Sequence, residues 1–217
     1  MRGAPAPPPR IFLLSPASSH GERARLVFNP EAAFPLARAL RTPEGAPLGE
    51  VFTFLSGLYF RGKLGYARAF ARPPAGVPGV VVITTSEGLV SPESPVTLDR
   101  LRRWAAVPIE AAEARYRRPL LRDAELIDAA AGPDCEVVLL GSIASGKYAD
   151  VLLEVFGARL LFPSAFVGRG DMSRGGLMLR CTDTRRELDY VPVATSVRHG
   201  ARPPRLQPRR RAGPAAE

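Results

Sequence analysis

Cysteine, lysine and long apolar runs are all scarce in this chain, and each scarcity excludes something. Two cysteines, Cys135 and Cys181, among 217 residues supply neither a disulfide framework nor a metal quartet. Both read as reduced, structural residues at strand ends. No apolar run reaches the roughly 18 residues that a membrane-spanning helix needs, and the opening MRGAPAPPPR lacks the apolar stretch of a secretory signal. The expectation is a cytoplasmic protein with no membrane partner. Neither a Ser-His-Asp arrangement nor metal-ligand spacing is present, so no metal and no cofactor is expected. Of 30 basic residues only two are lysines, Lys63 and Lys147, and each follows a glycine. Where arginine carries nearly all the positive charge, a lysine is either kept for its chemistry or a chance survivor on the surface.

The net charge of +9 suggests nucleic acid until it is located along the chain. Arg198, Arg202, Arg205, Arg209, Arg210 and Arg211 against Glu217 put +5 of it into residues 198–217, leaving +4 for everything before. That division predicts a disordered Pro-rich N-terminus over 1–9, a single α/β domain over 10–197, and a disordered Arg/Pro-rich tail over 198–217.

Within the domain, RIFLLS at 10–15, VVVIT at 80–84 and EVVLL at 136–140 read as buried strands. Asn29-Pro30 reads as the N-cap and first residue of a helix with Leu36, Ala37 and Leu40 inward. Residues 48–71 read as a pair of helices broken near Ser56-Gly57, Thr97 caps a short helix, and Pro119 opens a longer one. Strands at 159–162, 177–181 and 187–193 follow with no long helix between them, which suggests antiparallel additions. The fold class expected is therefore a three-layer α/β protein with a mixed sheet, its early strands parallel and its late strands antiparallel.

The residues placed for chemistry cluster in a few stretches. CEVVLLGSIASGKY at 135–148 is a strand, a turn opened by Gly141, then Ser142, Ser145, Gly146 and Lys147 at a helix start. Unpaired backbone N–H groups and the helix dipole make such a turn an anion site, with positive φ expected at Gly141 and Gly146. The loop SPASSHG puts Ser15, Ser18, Ser19 and His20 at the end of the first strand, where ligands of open α/β sheets sit. Tyr59, Lys63, Tyr66 and Phe70 recur at helical spacing, so that Lys63 between tyrosines either lines a ligand wall or snorkels at the core edge. FVGRGDMSRGG at 166–176 reads as a glycine-rich loop whose Arg169 and Arg174 can fork onto phosphate, or whose Arg169 and Asp171 simply pair. Glu87, beyond the second strand, and Asp171 are the candidate acids or bases, with Lys63.

Gly141, Gly146 and Lys147 satisfy GxxxxGK, the opening of the Walker A loop, between a strand and a helix as that motif requires. Tyr148 stands where a Ser or Thr would hold magnesium, so the motif is degenerate and implies an anion site without magnesium-ATP. A second resemblance spans about the first 100 residues. LLSPA at 13–17, LYF and YA within 58–67, and EGLVSPESPV at 87–96 together resemble the YaaA family and its uncharacterised bacterial relatives. That resemblance implies a cytoplasmic protein linked to peroxide stress and to DNA binding, some relatives neighbouring genes for modified nucleobases. The chain departs from the family where Ser18 replaces a lysine after Ser-Pro-Ala.

Two functions are therefore expected. In one, an α/β enzyme, a hydrolase or glycosidase, binds a phosphorylated or nucleobase-containing ligand, a small anion or nucleotide, where the strand-end loops converge. In the other, a non-catalytic protein holds nucleic acid non-specifically through the arginine-rich tail.

Overall fold

A computed structural model describes residues 7–204 and Leu206. The expected disorder of residues 1–6, and of the tail at 205 and 207–217, lies outside the described residues. The chain opens with β1 (Arg10–Leu14), followed by helices α1 (Glu22–Phe28) and α2 (Pro35–Ala39) and the short β2 (Ala46–Pro47). Next come α3 (Leu48–Ser56), α4 (Leu58–Phe70), β3 (Val80–Ile83), β4 (Leu89–Val90) and β5 (Pro95–Val96). Helices α5 (Leu98–Ala105) and α6 (Ala114–Ala131) lead to β6 (Glu136–Leu140) and α7 (Ala149–Phe156). The described chain closes with β7 (Leu160–Pro163), α8 (Asp171–Thr184) and β8 (Tyr190–Pro192).

The main sheet has the order β4-β3-β1-β6-β7-β8, with β2 and β5 paired separately. β1 is central and buried along its whole length, and it runs parallel to both β3 and β6. A run of Ile, Phe and Leu without polar alternation is what a strand covered on both faces requires. α4 packs on β1, β3 and α8, while α6 and α7 pack together and α7 on β7. Parallel crossovers are right-handed. The step from β1 to β3 and the step from β6 to β7 move in opposite directions, so their helices cover opposite faces and give three layers.

Several local expectations are corrected. Residues 177–181 are not a strand but the middle of α8. Leu177, Met178 and Cys181 follow helical spacing, and Cys181 is therefore a helical residue. Of the glycines that suggest a loop, Gly168 and Gly170 precede α8, while Gly175, inside it, lets α8 cross α4 at close range. A Cβ on Gly62 would lie 2.7 Å from the Gly175 carbonyl oxygen, and one on Gly175 would lie 2.7 Å from that of Leu58. β7 joins β6 in parallel because α7 separates them, and the antiparallel additions are β4 and β8. Asn29 ends α1 instead of opening a helix, and its side chain accepts from the Glu31 N–H in a local turn. Pro119 lies inside α6, whose N-cap is Glu113 accepting from the Arg115 N–H. Thr97 does cap α5, accepting from the Arg100 N–H at 3.3 Å.

No helix among the described residues is long and apolar enough to cross a membrane. Beyond residue 198 the described chain has no regular structure, yet it keeps contacts with the fold. Arg198 pairs with Asp150 at 2.5 Å, and the Pro204 carbonyl accepts from Arg169 at 3.3 Å.

Candidate functional site

Because the connections after β1 and β6 leave on opposite faces, a crevice opens outside the carboxyl ends of these strands, the usual ligand position of open α/β sheets. A cleft of about 410 Å3 occupies it. The loop after β1 contributes Ser15, Ser18, Ser19 and His20, and the turn after β6 contributes Ser142, Lys147 and Tyr148. Pro16, Val107, Pro108 and Ile109 form an apolar wall. Ser56, Thr85 and Asp171 complete the polar side. Lys147 is the one Lys or Arg among the described residues lining the cleft. Among those residues no carboxylate lies within ion-pair distance of it. Its ammonium sits 5.1 Å from the Tyr148 ring centroid.

Ser15 forms the floor. Its N–H still donates to the Leu140 carbonyl at 3.1 Å, which extends the β1–β6 ladder by one step past the end of β1. Across from it, a Cβ on Gly141 would lie 2.9 Å from Ser15 Cβ and 3.1 Å from Ser15 Oγ. Gly141 is needed because Ser15 fills the space a side chain would take. Its φ is not in the left-handed region, contrary to expectation, whereas Gly146 has φ +67°.

Behind Ser15 lies Lys63, and it does not snorkel: the residue is 0% exposed. Its ammonium nitrogen donates to the Ser15 carbonyl oxygen and stands 2.9 Å from Ser15 Oγ. The remaining faces are aromatic, with the Tyr59 and Phe60 ring centroids 4.4 Å and 4.9 Å from Nζ. No carboxylate among the described residues forms an ion pair with it. Burial therefore pushes Lys63 down to about 7, with Asp171 opposing the shift and Arg174 adding to it. Burial thus favours the neutral amine at a lower pH than in a solvated lysine. Tyr59 lines the cleft beside it, and its buried hydroxyl has no hydrogen-bond partner among the described residues. Burial pushes this phenol up to about 12, with Arg174 and Ser15 offsetting part of the effect, so it remains a donor.

The other residues singled out in the sequence divide sharply. Ser15, Tyr59, Ser142, Lys147 and Asp171 line the cleft, and Lys63 stands directly behind it. Ser145 is exposed and does not line it. Glu87 is held by Arg100, with Arg100 Nε at 2.9 Å, and Arg100 also lies over the Trp104 ring. Tyr66 is at the other end of β1, its hydroxyl 2.5 Å from that of Tyr190 and accepting from the Leu188 N–H. Arg169 donates to the Ala165 carbonyl and Ser173 Oγ, and Arg174 to the Phe166 carbonyl. Both arginines hold the start of α8 in place instead of facing the cleft, so neither is placed to fork onto a ligand. The turn over 141–148 is also less open to an anion than its glycines suggest. The Ala144 N–H donates to Ser142 Oγ and the Gly146 N–H to the Ile143 carbonyl.

Sequence reasoning missed the apolar wall and Tyr148. The short VPI segment after α5 carries no motif, and Tyr148 draws attention only as the residue that spoils Walker A, although its ring is buried against the cleft. Against known proteins, the chain matches no family model, and neither a curated protein nor a solved structure shows significant similarity to it.

Proposed function

We propose that this α/β protein binds a small phosphorylated or nucleobase-containing ligand in the cleft at the carboxyl ends of β1, β3 and β6. The observation that carries this reading is Lys147, a cation facing the cleft with no acidic partner among the described residues, beside the hydroxyls of Ser18, Ser19 and Ser142. The apolar wall of Pro16, Val107, Pro108 and Ile109 suits the face of a base or a similar flat group. A nucleic-acid partner would be held instead by the C-terminal arginines, of which Arg198 is already paired with Asp150.

Thermal-shift measurements with inorganic phosphate, adenosine and AMP test the reading. A ligand at a hundred times its Kd adds about 2.7 kcal/mol to the folded state. AMP is expected to stabilise the wild type, and Lys147→Ala is expected to lose the phosphate-dependent part while folding normally. No shift with any of the three at millimolar concentration overturns the proposal. Magnesium-dependent ATP hydrolysis would restore the Walker A reading and show that Tyr148 does not block it.

A further inference from the structure

We propose that Ser15 is a nucleophile and Lys63 its general base, a serine–lysine dyad set into the floor of the cleft and suited to hydrolysis of a carboxylic ester. This deepens the ligand reading above and rests on the same cleft, since the substrate must occupy it for Ser15 to reach it.

The geometry comes first. Ser15 lines the cleft although it is only 5% exposed. Lys63 Nζ meets the same Oγ at 2.9 Å from the protein side, fully buried. Nucleophile and base are thus within hydrogen-bond reach, and the third group of such a constellation, the one that orients the base, is the Ser15 carbonyl accepting from Nζ. A structural lysine at this depth would be expected to bring a carboxylate with it. The aromatic cage of Tyr59 and Phe60 tolerates the cation over its ring faces but does not neutralise it. Burial holds the amine near the pKa at which it can both take and return a proton at neutral pH. Burial comes first, with Asp171 on α8 opposing it and Arg174 on α8 adding to it, while Tyr59 and Phe60 on α4 and Ser15 are the groups in contact with the amine.

Tyr59 adds to the enclosure of the pair: its ring lies over the amine and its hydroxyl is itself buried, with Arg174 and Ser15 as polar neighbours.

The step balances without any other reagent. Ser15 Oγ bonds to the ester carbonyl carbon while its proton passes to the neutral Nζ, leaving an oxyanion on the tetrahedral carbon. The carbon–oxygen bond to the leaving alcohol then breaks, and that oxygen takes the proton from Nζ. Water attacks the acyl-serine, gives a proton to Nζ, and the Ser15 Oγ–carbon bond breaks as Oγ takes that proton back. The products are the carboxylic acid and the alcohol.

The test uses the full chain and a fluorophosphonate probe, which a nucleophilic serine displaces with loss of fluoride, read by intact mass and peptide mapping. Ser15 is expected to carry the label, at a rate that climbs between about pH 6 and pH 8 and then levels off as Lys63 loses its proton. Ser15→Ala should take up none. Lys63→Met, matched in length and apolar, should label at least roughly a hundredfold more slowly with an unchanged circular dichroism spectrum. If Lys63→Met does not fold, the wild-type pH profile read beside Ser15→Ala still decides. Absence of label on Ser15, a flat profile, or undiminished labelling of Lys63→Met overturns the dyad. Labelling in a protein that shows no shift with phosphate or AMP supports the dyad and counts against the ligand reading alone.

Discussion

At the scale of single residues, Lys63 contributes a pH dependence of definite sign. Its amine is pushed down from 10.5 to about 7 on folding, so the unfolded chain binds more protons than the folded one between those values. The contribution of Lys63 to stability then rises with pH through that window, because the folded state escapes a charge it holds poorly. The Cys135 and Cys181 thiols and the buried phenols, pushed up by burial, act in the opposite direction at its upper end. Below about pH 7 both states are protonated and the whole penalty, on the order of a few kcal/mol, is present. We expect the wild type to gain stability relative to Lys63→Met from about pH 7 toward about pH 9.5, read from paired denaturant midpoints, with Lys63→Met the more stable of the two at about pH 6. A difference between the two proteins that stays constant across the window would show that the amine is charged and compensated. Lys63 stands out in the sequence through the scarcity of lysine, and Tyr59 through its spacing on one helix. Their meeting with Ser15, 48 residues from Lys63, is not encoded in any local pattern. It depends on where α4 crosses the end of β1. Glu87 illustrates the converse: an acid at the correct strand end is spent on Arg100, a partner 13 residues away that periodicity cannot assign.

At the scale of elements, the crossing of α4 and α8 positions the candidate site. Gly62 precedes Lys63 in α4 and faces Gly175 in α8, so the two backbones touch where Asp171 and Arg174 come near Tyr59. In both directions the Cβ of an alanine would meet backbone, which cannot swing aside as a side-chain tip can. Gly62→Ala and Gly175→Ala are each expected to destabilise by about 1–3 kcal/mol through overpacking, despite the higher helix propensity of alanine. Urea melts check this, and a neutral or stabilising result would mean that the helices part without loss. Here the sequence misleads for a physical reason. Glycine weakens a helix in isolation, so Gly170, Gly175 and Gly176 read as a loop, whereas tertiary packing offsets that cost by allowing the approach. β1, β3 and β6 were legible because a strand buried on both faces must be uniformly apolar. α6 was misjudged at its start because Pro119 marks first turns far more often than interiors.

At the scale of the whole molecule, the two ends of the sheet do different work. The carboxyl ends of β1 and β6 open into the cleft, while their amino ends close on charge. Arg10 of β1 binds Glu136 of β6 and Glu187 near β8, its guanidinium lies 4.6 Å from the Tyr190 ring centroid, and Arg72 reaches Glu187 at 3.1 Å. Removing Arg10 leaves the half-buried Glu136 without its partner, while Glu187 keeps Arg72. Arg10→Met is expected to cost about 2 kcal/mol or more in equilibrium unfolding and to leave the labelling rate of Ser15 unchanged, since the two sites lie at opposite ends of β1. Loss of labelling in a folded Arg10→Met protein would show that the ends are coupled.

The way the sheet finishes has a further consequence. Its outermost strands are β4, two residues long, and β8, three residues long and ending in Pro192. A strand that short, or one interrupted by proline, offers almost no free ladder onto which another chain could add. The long apolar strands that would be hazardous if exposed are shut into the interior by these brief flanks. Among the described residues the main sheet therefore offers little purchase for edge-to-edge growth once β4 and β8 have docked.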